Sequence, residues 1–212
     1  MRIITISRQF GSGGRELGKR LAETLGWDYY DKNIIKKLCE LENMDEEYVK
    51  RLIHENGWAE FTQSNRGSFA EIGVNSGWQL SLLAKQRDII ENIAKKGRDC
   101  VIVGRDADVI LRDYRPFRVF VNADMDFRLN RCLEREQKKE GKKLTEKQIR
   151  SNIRRIDRMR NNTREILTGM SATAPETFDV VLNSASWKMD VLVNTTANLA
   201  KEWFEQCTRT EI

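Results

Sequence analysis

The first twenty residues constrain this chain more than any other stretch. Residues 2–7 form an apolar run of strand length, residues 8–14 hold three glycines in four positions (Gly11, Gly13, Gly14), and from Arg15 onward Leu17, Leu21 and Leu25 share one helical face. Strand, glycine turn and helix in that order make a seat for an anion. Backbone N–H groups point outward from such a turn and the new helix presents its positive end, so few side chains are needed. A plain strand-to-helix connection with strain-relieving glycines is the alternative, although three glycines exceed what a turn requires.

The rest of the chain alternates in the same way. Gly26-Trp27-Asp28-Tyr29-Tyr30-Asp31 reads as a helix stop, a short aromatic strand and a helix cap for residues 32–42. A further short helix is expected over residues 45–55, and residues 56–77 read as an irregular segment with scattered glycines and aromatics. Leu80, Leu83, Ile89, Ile90 and Ile93 predict a helix over residues 78–96, closed by Gly97, before the apolar strand Cys100 to Val103 and the turn Gly104-Arg105-Asp106. Residues 107–111 predict a short helix, residues 117–121 a fourth strand, and Asp124 the cap of a long basic helix that Gly141 breaks. Thr145 and Gln148 then form a capping box for a second long helix running to about Leu167. Residues 180–182 predict a fifth strand and residues 186–203 a closing helix.

Apolar strands alternating with helices predict an α/β fold: one five-stranded parallel sheet with helices on both faces. Ligands in such sheets bind at the carboxyl ends of the strands. The glycine turn, Asp31 and Gly104-Arg105-Asp106 all fall at those ends, so they are expected to meet in one cleft.

Composition narrows the chemistry. With 212 residues, 40% hydrophobic and 33% charged, the chain suits one globular domain, and no apolar run approaches the ~20 residues of a membrane-spanning helix. The apolar start is also too short for a secretory signal, so a cytoplasmic location is expected. Cys39, Cys100, Cys132 and Cys207 form no CxxC pair, and His54 is the single histidine, which argues against a disulfide framework, a zinc site or histidine catalysis. The net charge of +5 suits a polyphosphate ligand or a nucleic acid. Residues 128–160 concentrate it, with 13 basic residues against 5 acidic, and Arg150, Arg154 and Arg158 recur every four residues on one helical face. A solvated face and a nucleic-acid surface both account for that run.

With these residues placed, the chain resembles the cytidylate-kinase-like family of P-loop nucleoside monophosphate kinases, over nearly its whole length. The opening Ile3-Ile4-Thr5-Ile6-Ser7-Arg8-Gln9-Phe10-Gly11-Ser12-Gly13-Gly14-Arg15-Glu16-Leu17-Gly18 is similar to the strand and glycine loop that cradle donor phosphates there. The resemblance implies a three-layer P-loop NTPase fold, a single domain over residues 1–212, an acceptor-side segment over 56–77 and a helical lid over 124–168. It also implies ATP and Mg²⁺ as cofactors. A standard loop reads G-x-x-x-x-G-K-[ST], and here Gly14 and Arg15, or with one insertion Arg15 and Glu16, stand at the lysine and hydroxyl positions.

Carried over position by position, the resemblance makes Gly11, Ser12, Gly13, Gly14, Arg15 and Glu16 the nucleotide-phosphate site. Arg15 is the expected phosphate-side cation with Arg8 and Lys19 in reserve, and Ser12 or Glu16 is expected to reach the metal. Asp31 faces the reacting phosphates or serves only as a helix cap. Arg105 grips the acceptor phosphate and Asp106 fixes the acceptor nucleoside. Arg154 and Arg158 are carried by the lid to the transferring group, while Met159 stands where an acceptor-binding aspartate is expected and Asp157 lies two residues before it. Asn183, with Ser184, either contacts adenine or closes a strand-end turn.

The function expected from these residues is transfer of the ATP γ-phosphoryl group to a nucleoside monophosphate, cytidylate-like, or to another small acceptor. A non-catalytic nucleotide-binding regulator is the alternative, and a nucleic-acid-binding module a weaker one. The expected partners are therefore small nucleotides, without a membrane.

Overall fold

The computed structural model describes residues 1–31, 72–138 and 143–209. The helices expected over 32–42 and 45–55, most of the 56–77 segment and the break at Gly141 lie outside the described residues.

Five strands form one sheet: β1 (Ile3–Arg8), β2 (Asp28–Tyr30), β3 (Cys100–Val103), β4 (Phe117–Asn122) and β5 (Val180–Asn183). Their order is β2-β3-β1-β4-β5 and every pairing is parallel. β1 is central, with Ile3 opposite Cys100 on one side and Ile4 opposite Phe117 on the other. A parallel sheet needs a crossover between neighbours, and the helices supply it. They are α1 (Gly14–Leu25), α2 (Ile72–Lys95), α3 (Ala107–Ile110), α4 (Met125–Gln137), α5 (Glu146–Thr168) and α6 (Met189–Arg209). This is the α/β fold expected, one five-stranded parallel sheet covered by helices on both faces.

The period of two along the strands decides which layer each side chain joins. Ile3, Cys100 and Ile102 point to one face and pack with Ile89, Ile90 and Ile93 of α2 and Ala107 of α3. Ile4, Ile6, Val101 and Val103 point to the other and pack with Leu17 and Leu21 of α1 and Leu192, Val193 and Ala197 of α6. Ile4, Ile6, Leu17 and Leu21 are fully buried. Each such side chain contributes roughly 1.5–3 kcal/mol through water exclusion. A third, smaller cluster joins Leu129 of α4 to Ile149 and Ile153 of α5, with Phe10 of the glycine loop packed against it.

Most helix ends follow the sequence. Asp124 caps α4 by accepting from Phe127 N–H at 2.8 Å, and the Thr145–Gln148 capping box opens α5. Two ends differ from expectation. α2 begins at Ile72 rather than at residue 78, so the last residues of the segment expected to be irregular are helical. At the other end of the chain, Ser184–Ser186 is a 3₁₀ turn and α6 starts only at Met189. No helix among the described residues is long and apolar enough to cross a membrane.

Candidate functional site

β1 ends at Arg8, and the glycine loop folds back on the sheet through Gln9 N–H to the Val121 carbonyl at 3.0 Å. Gly13 enters α1 at φ +87°, in the left-handed region that favours glycine. The first intrahelical hydrogen bond is given by Leu17 N–H to the Gly13 carbonyl, at 3.0 Å. The amides of Gly14, Arg15 and Glu16 therefore lie ahead of the helical ladder, at the positive end of a helix of 12 residues. That is the arrangement which accepts a phosphate.

Arg15 stands on the first turn of α1 and reaches the end of β2. Its Nε donates to Asp31 Oδ2 at 2.6 Å, and the Tyr29 hydroxyl donates to the same oxygen at 3.1 Å. The Arg15 side chain is 52% exposed while that of Asp31 is 5% exposed, so the pair has a buried anionic floor and an open cationic edge. Burial alone would lower the Arg15 pKa, but the charge and hydrogen bond of Asp31 outweigh it and raise it. Burial, reinforced by the Asp31 charge, pushes the Tyr29 phenol up to about 12, which keeps it a donor.

Two residues expected at the metal are engaged otherwise. Ser12 is fully buried, and its hydroxyl lies 2.9 Å from the Gln9 carbonyl and 3.0 Å from the Val121 carbonyl. It braces the loop from beneath and does not face the cleft. Glu16 is bound by Arg131 of α4 at 2.7 Å and by Arg20 at 2.8 Å. Burial works to raise its carboxyl, but the Arg131 hydrogen bond and the surrounding arginines hold it below the usual carboxylate range. Among the described residues no group of three or more His, Cys, Asp or Glu side chains is placed to hold a metal ion. The chain's residues thus fit a polyphosphate seat but not a metal ligated directly by Ser12 and Glu16.

The third-strand turn is strained. Gly104, Arg105 and Asp106 are all left-handed, at φ +76°, +65° and +50°. Two consecutive non-glycine residues in that region persist only where their surroundings hold them. Gln86 of α2, a residue that sequence reasoning missed, does so for Arg105. Its Nε2 donates to the Arg105 carbonyl at 3.2 Å and its Oε1 accepts from Arg105 Nη1 at 3.3 Å. Arg8 lies across the turn, since a Cβ on Gly104 would fall 1.6 Å from Arg8 Nη1. Burial, with the neighbouring charge of Asp108, pushes the Asp106 carboxyl up to about 6, against the opposing pull of Arg164, Arg8 and Arg105.

The helical arm made by α4 and α5 contributes different arginines from those expected. Arg154 and Arg158 are exposed, and Arg150 pairs with Asp126 and Glu146. The inward residues are Asp157, Arg160 and Arg164. Arg160 Nη1 donates to the Arg8 carbonyl at 3.0 Å, and Arg164 is buried with Nη1 2.6 Å from Asp108 Oδ2 and 3.8 Å from Asp106 Oδ1. The spacing of Ile149, Ile153 and Ile156, all buried, continues to Arg160 and Arg164, which was the signal available in the sequence. On β5, Asn183 is exposed and its Oδ1 accepts from Ala185 N–H at 3.1 Å, a strand-end turn. Ser184 is buried, with its hydroxyl on the Ser12 carbonyl and 3.1 Å from the Asn122 carbonyl.

The structure therefore brings together Gly11 to Glu16, Asp31, Arg105 and Asp106 at the carboxyl ends of β1, β2 and β3. It places Arg8, named in reserve, across the Gly104 turn, adds Gln86, Arg160 and Arg164, and leaves Arg154 and Arg158 exposed.

A family model described as the cytidylate kinase-like family matches residues 3–186. No curated protein sequence matches the chain. Among solved structures, an uncharacterized protein from Eubacterium ventriosum ATCC 27560 is similar at TM-score 0.69 and 21% identity, covering 95% of this chain and 99% of that one. A shikimate kinase from Bacteroides thetaiotaomicron is similar at TM-score 0.56 and 14% identity, covering 94% and 98%. A gluconokinase from Sinorhizobium meliloti 1021 is similar at TM-score 0.50 and 14% identity, covering 97% of each. At these identities the likeness speaks to the fold, which is that of the P-loop kinases.

Proposed function

The chain belongs to the cytidylate kinase-like family, and on that basis we propose that it transfers the γ-phosphoryl group of ATP to a small acceptor, a nucleoside monophosphate of the cytidylate kind first among them. One observation carries the reading: three phosphate- or acceptor-directed features stand at the carboxyl ends of three adjacent strands. They are the open amides of α1, the Arg15–Asp31 pair and the left-handed Arg105-Asp106 turn. Kinases of this kind act chiefly by positioning and charge neutralisation, which these groups supply without a strong general base.

In this reading the Gly13 to Glu16 backbone and the exposed edge of Arg15 bind the donor phosphates. Asp31, the buried carboxylate paired with Arg15, is the residue that would hold Mg²⁺ through its water shell, and the ion would supply charge neutralisation at the donor phosphates. Arg105 and Arg8 hold the acceptor's anionic group, and Asp106 accepts from its hydroxyls. Arg160 of α5, whose guanidinium reaches the Arg8 carbonyl where the loop begins, takes the role expected of Arg154 and Arg158.

A coupled assay with Mg-ATP across nucleoside monophosphates, sugars and other small hydroxyl acceptors tests the proposal. Turnover with one class names the acceptor. The buried Ser12 hydroxyl and ion-paired Glu16 favour a second reading, a nucleotide-binding regulator, which ATP binding without turnover on any acceptor would support. Salt-sensitive binding to nucleic acid with no nucleotide affinity would instead support a nucleic-acid module.

A further inference from the structure

The glycine loop is held from outside by the helical arm. Asp157 of α5 accepts from Phe10 N–H at 2.7 Å. Arg128 of α4 donates to the Phe10 carbonyl at 3.3 Å and to the other Asp157 oxygen. Arg160, one turn on, donates to the Arg8 carbonyl. Both backbone polar groups of Phe10, its N–H and its carbonyl, are thus taken by a carboxylate and a guanidinium that also pair with each other. The Phe10 ring is packed against the Leu129, Ile149 and Ile153 cluster between the same two helices. Arg128 is 6% exposed and the Asp157 side chain 24%, so the joint is largely covered, with its carboxylate partly open to water.

A loop rich in glycine loses more conformational freedom on binding than any other, and fixing each residue costs on the order of 1–2 kcal/mol. Anything that fixes it beforehand removes that cost from the binding step. Other P-loops draw part of their order from a lysine and a metal-bound hydroxyl, neither of which this loop presents. We propose that Asp157 is a positioning residue for donor-phosphate binding: through Phe10 N–H and Arg128 it sets the shape of the glycine loop. The proposal rests on the reading of that loop as the phosphate seat. It gives Asp157 a role toward the loop rather than toward the acceptor. It also makes the joint reciprocal, because whatever the arm does for phosphate affinity, bound phosphate does for the arm.

The experiment uses the full chain, ADP as the probe, and the variants Asp157→Ala and Asp157→Asn. ADP affinity is read by calorimetry, and amide exchange is followed over residues 8–12 and 149–160. Asp157→Ala is expected to weaken ADP by about tenfold or more, the loss usual for a charged hydrogen bond. It is also expected to speed exchange in the loop and to abolish the protection that ADP gives to α5. Asp157→Asn keeps an acceptor for Phe10 N–H and is expected to recover part of the affinity. A folded alanine variant with wild-type ADP affinity overturns the proposal. So does an asparagine variant no better than alanine, which would place the whole effect on Arg128. Should the alanine variant not fold, the asparagine variant and Arg128→Gln carry the test, each expected to weaken ADP at unchanged secondary structure, with wild-type affinity in both overturning it. If the unmutated chain binds no ADP, it is the phosphate-seat reading that fails. The clamp is then judged by loop exchange alone, with wild-type exchange in Asp157→Ala overturning it.

Discussion

Arg164 Nη1 lies 2.6 Å from Asp108 Oδ2, with both side chains 3% exposed. This is the most deeply buried ion pair among those described, and it fastens the arm helix α5 to the short helix that follows the third-strand turn. Ser7 donates to the other Asp108 oxygen at 3.4 Å, and the guanidinium also lies 4.9 Å from the centre of the Phe178 ring. Yet the Arg164 Nε and Nη1 donors have no well-aligned acceptor. The pair is close in charge but imperfect in hydrogen bonding, so its attraction only partly offsets the cost of burying it. Removing one partner is a different matter, because it leaves a carboxylate buried without compensation. Arg164→Met is expected to cost about 3–5 kcal/mol, read as a fall in the urea midpoint at unchanged slope. Adding Asp108→Asn to that variant is expected to restore much of the loss.

The Asp106 carboxyl, raised to about 6, gives the second expectation. A folded-state pKa above the unfolded value of 3.8 means that the folded chain binds the proton more tightly. The stabilising contribution of the protonated acid is complete below pH 3.8 and is lost as pH rises through about 6. Unfolding midpoints measured from pH 4 to 7 should therefore fall with pH more steeply in the unmutated chain than in Asp106→Asn. Acceptor binding should run the other way. If the carboxylate accepts from acceptor hydroxyls, the acceptor KM falls as pH passes 6, and Asp106→Asn flattens that profile at a raised KM.

How legible this site was depends on what each residue needed from elsewhere. The layers followed directly from Ile3 to Ile6 and Cys100 to Val103, because continuous apolar runs between helices have few other homes. Asp31 and Gly104-Arg105-Asp106 were legible because a parallel sheet gathers all its strand ends on one side. The inward face of the arm was less legible. Arg150, Arg154 and Arg158 share a face, but spacing alone does not say whether that face looks inward. The answer was in Ile149, Ile153 and Ile156, whose stripe continues into Arg160 and Arg164. The surroundings of Ser12 and Glu16 were hidden for another reason. Their partners, the Val121 carbonyl and Arg131, lie more than a hundred residues away, and only the folded sheet brings them together. Gln86 carries no motif at all, and its role exists only because the Arg105 peptide is held left-handed.

The contact between Arg8 and Gly104 gives an expectation of a different kind. A methyl group at residue 104 would collide with the Arg8 guanidinium and would also sit at φ +76°. The backbone penalty is about 1 kcal/mol, and the collision is with the end of a flexible side chain, so Gly104→Ala is expected to fold with only a modest fall in melting temperature. Arg8 is then displaced from the Gly104-Arg105-Asp106 turn, where the proposed function places the acceptor. The expected signature is an acceptor KM raised by about tenfold at little change in the KM for ATP, measured by steady-state kinetics.

Arg15 and Asp31 make the sharpest test of the phosphate seat. The arginine edge is half-exposed, but its loss leaves the buried Asp31 carboxylate with the Tyr29 hydroxyl and without the Arg15 cation. Arg15→Ala is therefore expected to fold with a lowered melting temperature while turnover, measured below that melting range, falls by about a hundredfold or more, the usual loss when a charge-stabilising donor is removed. Arg15→Lys separates charge from geometry. The Arg15 Nε is committed to Asp31, and the remaining guanidinium nitrogens are the ones that can reach phosphate; an ammonium cannot do both. Lysine should thus recover less than a tenth of the lost rate, and Asp31→Asn, which frees Nε of its anion, should lower kcat more than it raises the KM for ATP. Unchanged kinetics in Arg15→Ala would move the donor phosphates away from α1 altogether.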